Sequence, residues 1–163
     1  MTALAEAGVR FVVCGGVAAV LHGVERLTLD LDLAVDMETT NLQRMISVFR
    51  DIQLVPRAPV AAAIILDEEK RRLLVKEKNA LVFTFVDTDH PYRQVDVMIH
   101  EEGLYDRLHK DAKSINLTGA QVEIASIAKL IAMKETVKPL RDKDRLDIAA
   151  LKTLLKRDPG ERT

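Results

Sequence analysis

Two hydrophobic periods alternate along the chain. Val9 to Cys14 is a β-branched and aromatic run that stops at Gly15-Gly16, which predicts a buried strand. A short helix follows to His22, with Gly23 as its stop. Leu29 to Val35 alternates apolar and acidic residues and predicts a second strand. Thr39 to Phe49 has helical spacing, with Leu42, Met45, Ile46 and Phe49 on one face. Ala61 to Leu66 is apolar, and 67–78 is a dense mixed charge run, read as a solvated helix face or loop. Ala80 to Val86 and Arg93 to Ile99 read as strands about a turn at 87–91. Ser114 to Leu117 and Gln121 to Ile124 form a short strand pair around Thr118-Gly119. The tail is helical from Ser126, a plausible N-cap, to Lys138. It breaks at Pro139 and resumes from Arg141 to Lys156, and Pro159-Gly160 closes the structured part. The order predicts one α/β or α+β domain over 1–163: a core at about 8–100 and a helical part at about 124–157.

Composition narrows the function classes. At 163 residues and 48% hydrophobic, the chain is long enough to bury a substantial core. A net charge of -1 gives no global basic bias toward nucleic acid or anionic membrane. The single Cys14 excludes an internal disulfide and a cysteine-rich zinc site, and fits a reducing cytoplasm. No apolar stretch approaches the roughly 20 residues of a membrane span, and the N-terminus has no signal-peptide pattern. Aromatic residues are only 4% and Trp is absent, which weakens any base-stacking platform.

The candidate chemistry begins in the second strand. Thr28, Asp30 and Asp32 share one face, while Leu29, Leu31 and Leu33 take the other. Carboxylates two residues apart lie roughly 6–7 Å from each other along a strand, close enough to share a metal cluster. Mg²⁺ suits them, because it takes hard oxygen ligands and commonly substrate phosphates as well. Alone, the pair reads first as a strand with a solvated face. Asp96 adds weight: it is a single acid at the centre of an apolar strand. On a strand beside the second, it would complete a set of three acids able to bind two Mg²⁺ for in-line displacement at phosphorus.

Gly15-Gly16 supplies a second element. A tight strand-to-helix turn lets backbone amides approach an anion without obstruction by Cβ. It is neither a P-loop nor a G-x-G-x-x-G fingerprint, and alone it is only a turn. Arg26 is placed to pair with one of the aspartates. Arg141, Asp144 and Asp147 share a helix face and form structural ion pairs or line the cleft. His22 reads as a helix-end residue, and His90, His100 and His109 lack metal-ligand spacing.

Gly15-Gly16, His22-Gly23, Arg26, Thr28 and Asp30-Leu31-Asp32 together resemble the signature of the polymerase-β-like nucleotidyltransferase superfamily. More narrowly they resemble its small bacterial and archaeal toxin-type members, related to the AbiEii group. Asp96 matches the family's third carboxylate. Lys134 matches its C-terminal lysine, and 141–148 its R-x-K-D-x-x-D helix. The resemblance leaves 56–79 unaccounted for. It implies a mixed twisted sheet flanked by helices, with Gly15, Gly16, Arg26, Thr28 and Lys134 binding the nucleotide. Asp30, Asp32 and Asp96 would hold two Mg²⁺ and perform the catalysis. The implied reaction moves a nucleoside monophosphate from an NTP to an acceptor hydroxyl on RNA, protein or a small molecule, releasing pyrophosphate. Two alternatives stand beside it: a degenerate nucleotide-binding module, and a toxin–antitoxin component acting by binding a partner such as an antitoxin.

Overall fold

The computed structural model describes residues 1–78, 80–90 and 92–157. Its strands are β1 (Phe11–Cys14), β2 (Asp30–Val35), β3 (Leu54–Pro56), β4 (Val82–Asp87), β5 (Gln94–Met98), β6 (Lys113–Leu117) and β7 (Ala120–Ile124). Its helices are α1 (Thr2–Glu6), α2 (Gly15–Leu21), α3 (Thr39–Asp51), α4 (Glu68–Lys78), α5 (Leu104–His109), α6 (Ile127–Glu135) and α7 (Asp142–Arg157). A 3-10 turn covers Ala62–Leu66.

The seven described strands form one mixed sheet in the order β3-β4-β5-β2-β1-β7-β6. β2 runs parallel to β5 and antiparallel to β1, which runs parallel to β7. The hairpin expected at Thr118-Gly119 is therefore not an appendage: β7 extends the central sheet. Alternation along β2 and β5 divides the two faces. Leu31, Leu33, Val95 and Val97 point to one side, where Leu33 and Val97 are fully buried. Leu4 of α1, Phe49 of α3 and Ile52 just after it line one hollow with Leu31 and Val95. The Phe49 ring packs on Phe85 at 4.7 Å between centroids. Buried Asn41 fastens α3 to the sheet by accepting from the Arg10 amide and donating to the Arg10 and Asp36 carbonyls.

The opposite face carries Asp30, Asp32 and Asp96, with α2 and α6 beside it. Ser126 caps α6, its hydroxyl accepting from the Lys129 amide. Lys129 itself turns away from the cleft and pairs with Asp111 at 3.5 Å. The charge run at 67–78 forms α4, with its polar residues largely in solvent. Sequence reading did not anticipate α1, β3 or α5. The expected stop at Pro159-Gly160 lies outside the described residues. No helix among the described residues is long and apolar enough to cross a membrane.

Candidate active site

Register brings the acids together. Asp32 on β2 stands directly opposite Asp96 on the parallel neighbour β5, with Asp30 one pleat further along the same face. All three line a cleft of about 260 Å³ together with Gly15, Gly16, Arg26, Thr28, Lys134 and residues of the α6–α7 corner. The eight positions singled out from sequence therefore meet at one place.

The glycine turn is fitted to Asp32. Gly15 has φ +63°, in the left-handed region that disfavours a side chain. A Cβ there would lie 1.9 Å from Oδ2 of Asp32. The Gly16 amide donates to the Asp32 carboxylate. Sequence alone assigned that amide to a phosphate; here it holds a carboxylate in place. Cys14, which precedes the turn, is buried, and its thiol donates to the Asp32 carbonyl at 3.5 Å. Burial pushes that thiol well above its ordinary range.

Asp32 pushes against its surroundings. Burial, then the charges of Asp96 and Asp30, raise its pKa from 3.8 to about 6, although the Gly16 amide and Lys134 pull the other way. A cation in the cleft would relieve this repulsion. Among the described residues no three acidic, His or Cys side chains converge on a single point. Mg²⁺ does not require that, since it is commonly held by one or two carboxylates with phosphate and water completing its shell. Three carboxylates in adjacent pairs, all offering hard oxygens, fit such ions.

Asp96 has a fixed orientation. Thr84 on β4, its cross-strand partner, donates to Oδ1 at 2.7 Å. Gln94, two residues back on the same face, donates to Oδ1 and Oδ2 at 3.2 and 3.1 Å. Arg57 in turn donates to the Gln94 carboxamide oxygen. Sequence reading missed Thr84 and Gln94. The alternation that placed Asp96 also put Gln94 on its face, so one of the two was within reach of the pattern.

The cations are ordered by two buried aspartates. Lys134 Nζ lies 2.6 Å from Oδ2 of Asp147 and 3.3 Å from Oδ1 of Asp144. Arg26 pairs with Asp147, and Arg141 Nε lies 2.5 Å from Oδ2 of Asp144. Burial works against ionisation of Asp144, but Arg141 and Lys134 hold its carboxyl below the usual range. Arg26 therefore does not pair with Asp30 or Asp32, as expected from its place before β2. The alternating chain Arg26–Asp147–Lys134–Asp144–Arg141 clamps α6, α7 and the segment before β2 together. Of the four cleft cations, Lys143 is the one with no carboxylate partner among the described residues.

His22 bonds the Ala125 carbonyl at 2.8 Å, a helix-end role. His90, His100 and His109 engage Asp87, the Leu81 carbonyl and Glu123, all away from the cleft.

No family model matches the sequence, and no curated protein matches it. Among solved structures, the chain is similar to lincosamide antibiotic adenylyltransferase LnuA, determined with lincomycin bound. The TM-score is 0.56 at 14% identity, covering 88% of this chain and 86% of that one. The fold is similar to that of this nucleotidyltransferase. A mixed sheet flanked by helices, expected from the sequence resemblance, is what this chain forms.

Proposed function

We propose that this chain is a Mg²⁺-dependent nucleotidyltransferase that moves a nucleoside monophosphate from an NTP to an acceptor hydroxyl. The observation that carries the reading is the register pair Asp32–Asp96, seated against a glycine turn shaped to Asp32, in a nucleotidyltransferase fold. Three carboxylates facing one cleft are costly to keep without a cation, which argues against a degenerate module.

Asp30, Asp32 and Asp96 would hold two Mg²⁺. Bound there, the ions supply charge neutralisation for the triphosphate and acidify the acceptor hydroxyl. The protein supplies position. Thr84 and Gln94 fix the Asp96 carboxylate, which accepts the hydroxyl proton. The acceptor oxygen bonds to the α-phosphorus as the bond from that phosphorus to the bridging oxygen breaks, and pyrophosphate leaves with the electron pair. Lys143 and Arg141, at the cleft edge, face the departing charge. Lys134 acts one step back, by fixing α6 against α7.

The likeness to an enzyme that adenylylates an antibiotic supports ATP as the first donor to test and a small hydroxylated molecule as the first acceptor. RNA and protein acceptors, and a partner protein of toxin–antitoxin type, are further arms of the same assay. Protein would be incubated with Mg²⁺ and ATP labelled at the α- or the γ-phosphorus, plus pools of each acceptor class. Transfer of α-label with γ-label emerging in pyrophosphate supports the reading. Transfer of γ-label to an acceptor would make the chain a kinase and overturn it.

A further inference from the structure

Arg57 touches both residues that hold Asp96. Its backbone amide donates to the Thr84 carbonyl at 2.9 Å, which carries the β3–β4 ladder one residue past Pro56. Its guanidinium donates to the Gln94 carboxamide oxygen. Thr84 and Gln94 in turn donate to the Asp96 carboxylate. Arg57, Thr84, Asp96 and Asp32 thus stand in one row across four neighbouring stretches of the sheet. Arg57 is exposed and does not line the cleft. It belongs to the stretch 56–79, which the sequence resemblance leaves without a role.

The relay through Gln94 has a direction. An ionised carboxylate only accepts hydrogen bonds and a guanidinium only donates them. Gln94 satisfies both in one orientation, with Oε1 toward Arg57 and Nε2 toward Asp96. Held at one end only, a glutamine side chain keeps rotamer freedom that blurs the position of whatever it holds. A guanidinium set directly on Asp96 would fix it too, but it would neutralise the carboxylate and occupy its oxygens. A neutral amide between them passes on the orientation and leaves the charge in place. The guanidinium has no carboxylate partner among the described residues, so nothing else there competes for it.

Resting on the nucleotidyltransferase reading above, the geometry points to Arg57 as a positioning residue that orients Asp96 through Gln94. It also gives the start of the stretch after β3 a task, since its first residue ties both Asp96 donors together.

The test has two arms, each with folding checked by thermal melting. In isotope-labelled, metal-free protein, the Gln94 side-chain amide signals are identified by their loss in Gln94→Ala, and their hydrogen exchange with water is measured. Arg57→Met keeps the aliphatic stem and the backbone amide, and should quicken that exchange about tenfold with the melting temperature unchanged. The second arm measures transfer by wild type, Arg57→Met, Gln94→Ala and the double variant. Arg57→Met should lower kcat roughly three- to tenfold with KM for the nucleotide unchanged. The double variant should match Gln94→Ala, because the relay is already cut. Unaltered Gln94 exchange in a folded Arg57→Met, or two losses that multiply in the double variant, overturns the assignment while leaving the nucleotidyltransferase reading intact. Quickened exchange beside a wild type that transfers nothing supports the relay and removes that reading instead.

Discussion

The carboxylate of Asp32 occupies the place where a side chain on Gly15 would begin, 1.9 Å from its ideal Cβ. Turn and cleft-facing acid are therefore a single fitted unit, although 17 positions separate them in sequence (32 − 15). Gly15→Ala would meet a steric clash and also adopt φ +63° with a side chain, which alone costs about 1–2 kcal/mol. We expect Gly15→Ala to lower stability by more than that backbone cost. Adding Asp32→Ala removes the carboxyl group and should recover most of the part due to the clash, leaving only Asp32 Cβ close, at 2.9 Å. Denaturant melts of both singles and the double check this, and strict additivity would show that the two residues are not coupled.

Buried Lys134 and exposed Lys143, which has no carboxylate partner among the described residues, should behave oppositely. Lys134→Ala leaves Asp144 and Asp147 without their central partner, and breaking a buried ion pair costs about 3–5 kcal/mol. Lys143→Ala should leave the melting temperature unchanged and weaken Mg²⁺-ATP binding roughly three- to fivefold, with the loss shrinking at high salt. Thermal melts paired with titrations separate the two. A stable Lys134→Ala with lost affinity would reverse the assignment.

Stability of the metal-free protein should depend on pH through Asp32. Its pKa rises on folding from 3.8 to about 6, so between those values the folded state holds a proton that the unfolded chain has released. Stability therefore falls as pH rises through this window, and the penalty is complete above about 6. A shift of this size corresponds to about 3 kcal/mol. Asp32→Asn should thus stabilise the chelator-treated protein at about pH 7.5 and give little or no gain at about pH 4. Denaturation at both pH values reads this out, and an equal gain at both would contradict it.

Thr84 and Gln94 hold Asp96 without lining the cleft themselves. Thr84→Val and Gln94→Ala should lower kcat roughly tenfold while leaving KM for the nucleotide nearly unchanged. An equal rise in KM, or an unchanged kcat in folded variants, would contradict the positioning role.

Much of this arrangement was legible because it follows short-range rules. Strand alternation put Asp30 and Asp32 on one face, and the apolar flanks of Asp96 marked a central strand. The glycine pair marked the turn that α2 begins. What escaped was long-range. Nothing in the sequence of β2 and β5 announces that they are parallel neighbours with Asp32 opposite Asp96. The three-residue spacing of Arg141, Asp144 and Asp147 suggested ion pairs but not that Lys134 and Arg26 complete them. The amide of Gly16 was assigned to a phosphate because sequence cannot show a carboxylate arriving from another strand. Helices α1 and α5 are too short for a periodic signal to build up.

The central claim is that this cleft binds a nucleoside triphosphate through its carboxylates and a divalent ion. Titration of ATP, with and without Mg²⁺, into wild type and Asp32→Asn tests it most directly. We predict binding by wild type that requires Mg²⁺ and is lost in a folded Asp32→Asn. Binding that is indifferent to Mg²⁺, or that persists in the variant, would contradict the account.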